Sequence, residues 1–551
     1  MLPDRSLLIR NSTALLRLAI GLSQGLLLYW LWRACMDGIW PAAHPRLLAP
    51  ALVVAWFIPL LLSLGLGNLR PRVLLVWAVI AALVLLGLGL HDIARGGTER
   101  GWGSMLFAAN RDDIRRVPSD VLMFYAGAGL FIAQSLILAG NADRRIIAAY
   151  PTYFDAAWKL GVQILLALCF VGAFWALLEL GAALFDLIKL DFLQRLIRHA
   201  WFSIPATAMA GAAAIHLTDT RAGLIRGLRT LKLTLLSWLL PLITLIVLGF
   251  LLSLAATGLK PLWETRYATA LLLAVAGALV LLINAVYQDG VAERAAPWPL
   301  RIAGSLASLA LVPLIGLGSY ALVLRVGQHG WTSDRIIAAA CLLVGACYAV
   351  GYATALPSSG AWMKRLEICN LFTAFVILAV LLALFTPLAD PARLSVADQL
   401  ARLRTGRVAP ADFDFAYLRF EGARYGREAL QQLATESTGT QAADIRERAE
   451  AALQLQYRWQ RPQVALAAEE IAGNIAVWPK GAALPDSFLR QDWRGKVLAA
   501  SWLVPRCVTQ RGEKCDALLI DLDGDGTDEI ILAAAGGYTV LAAFKSSANG
   551  S

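Results

Sequence analysis

Apolar residues gather in long unbroken blocks over the first 389 positions and thin into short alternating stretches beyond them. Eleven blocks read as helices, roughly Leu15 to Trp32, Leu47 to Leu64, Val73 to Leu90, Val121 to Ala139, Trp158 to Ala182 and Trp201 to Leu217. They continue with Leu231 to Ala256, Tyr267 to Tyr287, Leu300 to Leu324, Ile336 to Ala355 and Leu366 to Leu388. A helix needs roughly 20 apolar residues to cross a bilayer, and the blocks are of that order. Trp158, Trp201, Trp298, Trp331 and Trp362 stand at or just before block starts, where an amphipathic indole settles at headgroup level. The pattern predicts an all-α polytopic transmembrane bundle of about 11 helices, with a soluble α+β domain at the C-terminal, extracytoplasmic end. The sixth block is the weakest, being short and rich in Ala and Ser. Without it, Arg195, Arg198, Arg221, Arg226, Arg229 and Lys232 would all lie outside, against the positive-inside rule.

Beyond Ala389 the signals are of the soluble kind. Ser395 with Asp398 resembles a capping box, and Gly406 is placed to end that helix. Two more helices are expected over Arg427 to Ala434 and Gln441 to Trp459, the latter with one apolar face at Ala442, Ile445, Ala449, Ala452 and Leu453. After Pro462, β-type runs at Ile475 to Trp478, Val497 to Val504, Ala517 to Ile520 and Ile530 to Leu532 alternate with turn residues. The chain therefore divides into a membrane domain at 1–389, a small helical region at 390–460 and a β-rich subdomain at 461–551. Asn549-Gly550 is a hairpin signal with no return strand after it, the pattern expected of a shortened end.

Composition fits this division. The 551 residues are 58% hydrophobic and 16% charged, with mean hydropathy +0.61, which rules out an ordinary soluble enzyme. The net charge of +10 splits into +12 for residues 1–389 and −2 for the remainder. The basic residues sit in short loops rather than alternating with aromatics, so no nucleic-acid partner is expected. With the N-terminus cytoplasmic, the inward loops hold Arg70, Arg72, Arg144, Arg145, Arg221, Arg226, Arg229, Lys232, Lys364 and Arg365. The loop from Gln288 to Trp298 fits less well, since Asp289 and Glu293 oppose Arg294. Eleven spans then leave the C-terminal domain periplasmic. The first block is too long for a cleaved leader and lacks a small-x-small site, and Arg33 spoils a lipoprotein pattern before Cys35. It is expected to be a retained anchor.

Five of the seven cysteines lie in or beside apolar blocks. Cys507 and Cys515 lie in the soluble part and flank Gln510-Arg511-Gly512, which predicts a disulfide in an oxidising compartment.

The most specific string is Asp521-Leu522-Asp523-Gly524-Asp525-Gly526-Thr527-Asp528-Glu529. Carboxylates at its first, third and fifth positions, the Thr527 carbonyl and the Glu529 side chain converge as hard oxygen ligands, and Gly526 permits the bend. A structural Ca²⁺ is the expected cofactor. An acidic turn without an ion is the alternative, opposed by the mutual repulsion of five carboxylates in nine residues. An EF-hand is excluded, because Leu532 stands where its closing Glu would be and the flanks read as strands. The loop resembles the Asp-x-Asp-x-Asp-Gly calcium loops of integrin-type β-propeller repeats. That resemblance implies Asp521, Asp523, Asp525 and Glu529 as side-chain ligands, without a propeller, since there is one copy.

Polar residues inside the blocks are few. Arg17 is expected to snorkel to the headgroups and Glu179 to sit at the interface. Glu367, Asn370 and Asn284 lie near inner helix ends. Asn284, Tyr287, Gln288 and Asp289 form a polar cluster at the mouth of the eighth block, suited to a partner loop or a lipid headgroup, or simply to a helix cap and anchor. The histidines, His44, His91, His199, His216 and His329, are scattered without metal-ligand spacing, and no nucleophile elbow or phosphate loop occurs. No catalytic residues are assigned. The loop from His91 to Asp120 is the best place for any chemistry.

Several strings occur together: Leu184-Phe185-Asp186-Leu187-Ile188, Trp263-Glu264-Thr265-Arg266-Tyr267-Ala268, Ile283 to Gly290, Gly330 to Arg335, and Asp412 to Phe420. This set resembles a family of bacterial polytopic inner-membrane proteins classified only as a domain of unknown function. The resemblance covers roughly residues 160 to 430 and implies no assigned reaction. The reading that follows is a non-enzymatic inner-membrane protein in the lipid bilayer. Its external domain would serve envelope assembly, sensing or binding of an envelope protein partner. The alternatives are a transporter or flippase-like carrier, and a membrane-embedded transferase acting on lipid-linked substrates.

Overall fold

A computed structural model describes residues 5–96, 117–220, 222–259, 268–290, 296–356, 362–436, 441–455, 458, 466, 468–491, 493, 505–508, 513–524, 526, 528–534 and 540–545. Among them, eleven helices are long and apolar enough to cross a membrane. The helices are α1 (Arg5–Asp37), α2 (Pro45–Gly65), α3 (Pro71–Arg95), α4 (Asp120–Asp143), α5 (Tyr150–Leu187), the short α6 (Phe192–Arg198), α7 (Ala200–Thr220) and α8 (Ala222–Thr257). α9 (Ala268–Tyr287), α10 (Trp298–His329), α11 (Ser333–Ala355) and α12 (Leu366–Leu384) complete the bundle. Every expected block is a helix, α6 being an added connector. Proline in the first turn starts α2, α3, α5 and α10, where its missing N–H is not needed. Ser119 caps α4 by accepting the Leu122 N–H.

Leu75, Leu83, Leu168, Leu235 and Leu245 are exposed on the flanks of these helices, an apolar surface suited to lipid rather than water. The largest buried cluster lies among α8 to α12 and includes Leu240, Leu279, Ile283, Leu311, Tyr352 and Leu366. The weak sixth block is α7, and its composition has a packing reason. A Cβ on Gly21 of α1 would stand 2.5 Å from Ala212 Cβ, and one on Gly25 would strike Pro205. Small residues on both helices let the backbones approach, at the expense of hydropathy.

Contacts divide the chain into two units, residues 1–401 and 402–551. α13 (Pro391–Arg404) begins in the first. It starts earlier than the capping box suggested: the Asp390 carboxylate accepts the Ala392 N–H, and Ser395 bonds the Ala392 carbonyl from inside the helix. Asp398 instead accepts the Trp331 N–H at 2.8 Å.

The second unit holds α14 (Phe415–Phe420), α15 (Ala423–Glu436), α16 (Ala442–Gln454), α17 (Ala468–Asn474) and α18 (Asp486–Leu489). Its four-stranded sheet has the order β1 (Ile475–Trp478), β2 (Cys515–Ile520), β3 (Glu529–Ala534) and β4 (Val540–Phe544). β1 runs parallel to β2, and the remaining pairs are antiparallel. Ile475, Phe488, Trp493, Ala517 and Leu532 form the core beneath it, with Phe544 packed on the aromatic pair. The expected run from Val497 to Val504 lies outside the described residues.

Candidate functional site

Asn284, on the last turn of α9, joins three residues from other helices in a ring. Its amide donates to Tyr352 Oη at 2.7 Å, Tyr352 donates to Asn370 Oδ1 at 2.7 Å, and the Asn370 amide donates to Asn284 Oδ1 at 2.6 Å. Tyr150 accepts from Asn370 at 3.0 Å and donates to Asn284 at 3.4 Å, while the second Asn284 proton goes to the Val280 carbonyl. Each amide proton and each phenol proton therefore has an acceptor. The ring ties α5, α9, α11 and α12 together near their ends, and unmet polar groups buried between the helices would be costly.

Tyr287 belongs to a neighbouring arrangement. Its hydroxyl donates to Glu367 Oε1 at 2.9 Å, which also accepts Lys364 Nζ at 2.6 Å. Gln288 follows in the left-handed region (φ 55°), and Asp289 is buried. Gly290 must be glycine for two reasons: its φ is +71°, and a Cβ would stand 2.6 Å from Glu367 Oε1. Of the four residues singled out, Asn284 thus belongs to the ring and Tyr287 to the pair with Glu367, while Gln288 and Asp289 follow in the turn. The sequence does not single out Tyr150 and Tyr352, because tyrosine in or beside an apolar block reads as an interfacial anchor.

Arg17 does not snorkel. It is 1% exposed, and it donates from Nε to the Ser63 carbonyl at 3.0 Å and from Nη2 to the Leu66 carbonyl at 2.6 Å and Asp219 Oδ2 at 2.7 Å. Asp219 Oδ1 meets Lys159 Nζ at 2.9 Å, and Lys159 also donates to Asn68 Oδ1 at 2.8 Å. One acid between two bases binds α1, α2, α5 and α7. Its only trace in the sequence is ionisable residues near the matching ends of separate blocks.

At the other end of the bundle, the fully buried Asp390 lies 3.0 Å from His91 Nε2 and 3.8 Å from Arg95 Nη1. Asp92 accepts both the Ser119 N–H and its hydroxyl at 2.8 Å. Burial pushes the Asp390 carboxyl up, but the His91 hydrogen bond, the Arg95 charge and the Ala392 N–H outweigh it and hold the group below the ordinary carboxylate value. A depressed acid contributes stability above its unfolded value of about 4 and loses it as pH falls through the folded value. We expect the melting temperature of the wild type to drop more steeply than that of D390N between about pH 5 and 3. Parallel acid limbs in thermal melts would contradict this assignment.

The acidic loop connects β2 to β3. Asp521 accepts the Gly524 and Gly526 N–H groups at 2.7 and 2.9 Å, which folds the loop around its carboxylate, and Glu529 accepts the Leu522 N–H at 2.8 Å. One oxygen each from Asp521, Asp523 and Glu529 lie within 4.8 Å of one another, a set that could hold a metal ion. Asp525 and Thr527 lie outside the described residues. Lys545 adds what the sequence did not suggest: its ammonium bridges Asp523 and Glu529. A divalent ion must displace it.

Cys507 and Cys515 form a disulfide, with Cα atoms 5.8 Å apart and both residues buried in the core under the sheet. Asn474 fixes one side by donating to the Cys507 carbonyl at 2.9 Å. The other five cysteines form no disulfide.

Eleven apolar helices held by buried polar locks, followed by a small disulfide-bonded α+β unit, define a multi-pass integral membrane protein. Residues 49–435 match the family described as Domain of unknown function (DUF4153), and the chain belongs to it. No curated protein and no solved structure matches.

Proposed function

We propose that this is a non-enzymatic protein of a bacterial inner membrane whose C-terminal unit stands in the periplasm and serves envelope assembly, sensing or partner binding. The Cys507–Cys515 disulfide carries the reading: it belongs to the unit that follows an odd number of spans. Such bonds persist in oxidising compartments. Lysine and arginine in the short loops favour a cytoplasmic N-terminus, which places the disulfide on the oxidising side. A phosphatase fused at Ser551 should be active only if exported, and Cys507 and Cys515 should resist alkylation until reduced. A silent fusion with freely alkylated thiols would reverse the orientation and remove the reading.

Within this reading the β2–β3 loop takes Ca²⁺ as a structural ion, with Asp521, Asp523 and Glu529 as ligands and Asp525 and Thr527 completing the shell. Calcium should raise the melting temperature of the C-terminal transition. K545M should bind it about tenfold more tightly, because the competing ammonium is gone, roughly 1.4 kcal/mol. An unchanged melt in millimolar calcium for both proteins would leave Lys545 as the only counter-ion.

A further inference from the structure

A cavity of about 740 Å³ lies between α2, α4 and α5. Trp56, Phe57, Leu60, Phe124, Phe131 and Leu168 line it, and its wall follows α4 from Asp120 to Gln134. Fourteen residues of helix span about 21 Å, most of the roughly 30 Å hydrocarbon layer. The space is open on one side and apolar throughout most of its wall, and between membrane spans the available filling for such a groove is a lipid chain.

The cavity has a smaller neighbour of about 220 Å³, whose wall is mostly apolar but carries Asn68, Thr152, Asp155, Lys159 and Gln163, and Leu64 and Leu160 line both. A long apolar space adjoining a compact one that holds polar groups at one end of the bundle has the shape of an amphiphile. Lys159 supplies the charge: two of its three protons go to Asp219 and Asn68, and the side chain is 39% exposed. That leaves one ammonium proton beyond these two contacts, beside the Asp155 carboxylate that lines the same space.

Gln134 is an independent observation. It lines the long cavity and is 2% exposed, and its Oε1 accepts Trp77 Nε1 at 2.6 Å. Its Nε2 has no partner among the described residues. A buried amide donor without an acceptor is destabilising, so an acceptor brought into the cavity would be bound favourably. Nε2 lies 3.6 Å from where a Gly65 Cβ would be, beside Leu64 and thus close to the junction of the two spaces. From the smaller space outward, the order is a cation, an amide donor and an apolar channel. That is the order of a phosphate, an ester carbonyl and an acyl chain.

We propose that α2, α4 and α5 bind one membrane phospholipid, its chain in the apolar cavity, an ester carbonyl at Gln134 and its phosphate at Lys159. This is independent of the periplasmic reading. The test uses the full chain, delipidated in detergent and then exposed to vesicles of phosphatidylethanolamine and phosphatidylglycerol, with native mass spectrometry counting retained lipid. One phospholipid per chain is expected. G127W, which fills the cavity, should reduce retention at least tenfold, and G127L serves as a milder filler, since a Cβ there meets Phe57 only at 3.5 Å. K159M should lose phospholipid about tenfold while still retaining diacylglycerol. Melting temperatures of the variants identify any that fail to fold. Equal retention by wild type and G127L, or equal phospholipid binding by K159M, would overturn the proposal. So would inorganic phosphate displacing lipid from the wild type and binding G127L unchanged, since the smaller space would then be a free-phosphate site.

Discussion

R17M is expected to destabilise the membrane bundle by about 3–5 kcal/mol, read as a large fall in melting temperature in detergent. The loss comes from what the substitution leaves behind. Asp219 is 16% exposed and would keep Lys159 and the long Asn68 hydrogen bond, while the Ser63 and Leu66 carbonyls would lose their donor. The partner substitution D219L should cost a similar amount, because it strands a guanidinium that is 1% exposed. The double variant R17M/D219L should lose clearly less than the sum of the two, since neither charge is stranded by the other, although the two carbonyls and Lys159 still lose a partner. Additive losses would mean that the two residues act separately. A loss below about 1 kcal/mol for R17M would place the pair among solvated ion pairs.

The double substitution C507S/C515S should lower the stability of the C-terminal unit by about 2–3 kcal/mol, the value for a short closed loop. The sequence separation is eight, so the entropic effect is at the small end of the disulfide range. Burial adds to it: Cys507 is 0% exposed, and two hydroxyls in its place would need new partners inside the core. Limited proteolysis should cut the variant within residues 402–551 while the helices stay intact. Identical digestion patterns with and without reductant would show that the bond is dispensable.

The spans were readable because a membrane helix leaves a long, simple pattern. Even α7, with its Ala and Ser, was recovered once the charges on either side were weighed. The acidic loop was readable as a contiguous string, and so was its setting between two strands. What could not be read is what the fold brings together from afar. Lys545 enters the loop from 22 residues beyond Asp523. Tyr150 reaches Asn370 across 220 positions. Ser395 misled for a different reason: its spacing to Asp398 suits a capping box, but Asp390 followed by Pro391 starts the helix one turn earlier, and Ser395 then falls inside. Local rules compete, and the stronger start signal prevails.

Arg17 and Asp219 are 202 residues apart in the chain. A ribosome adding roughly 5–20 residues per second needs about 10–40 s to cover that distance. Throughout that interval α1 carries a guanidinium whose carboxylate partner has not been made, and an unpaired charge on a membrane helix is costly. The small-residue seam at Gly21 and Gly25 cannot close either, because Pro205 and Ala212 also arrive late. The first helix therefore enters the bilayer provisionally and is locked only when the sixth span slots beside it. The order of synthesis is thus built into the architecture, with the earliest segment settling only once the sixth of eleven spans has been made.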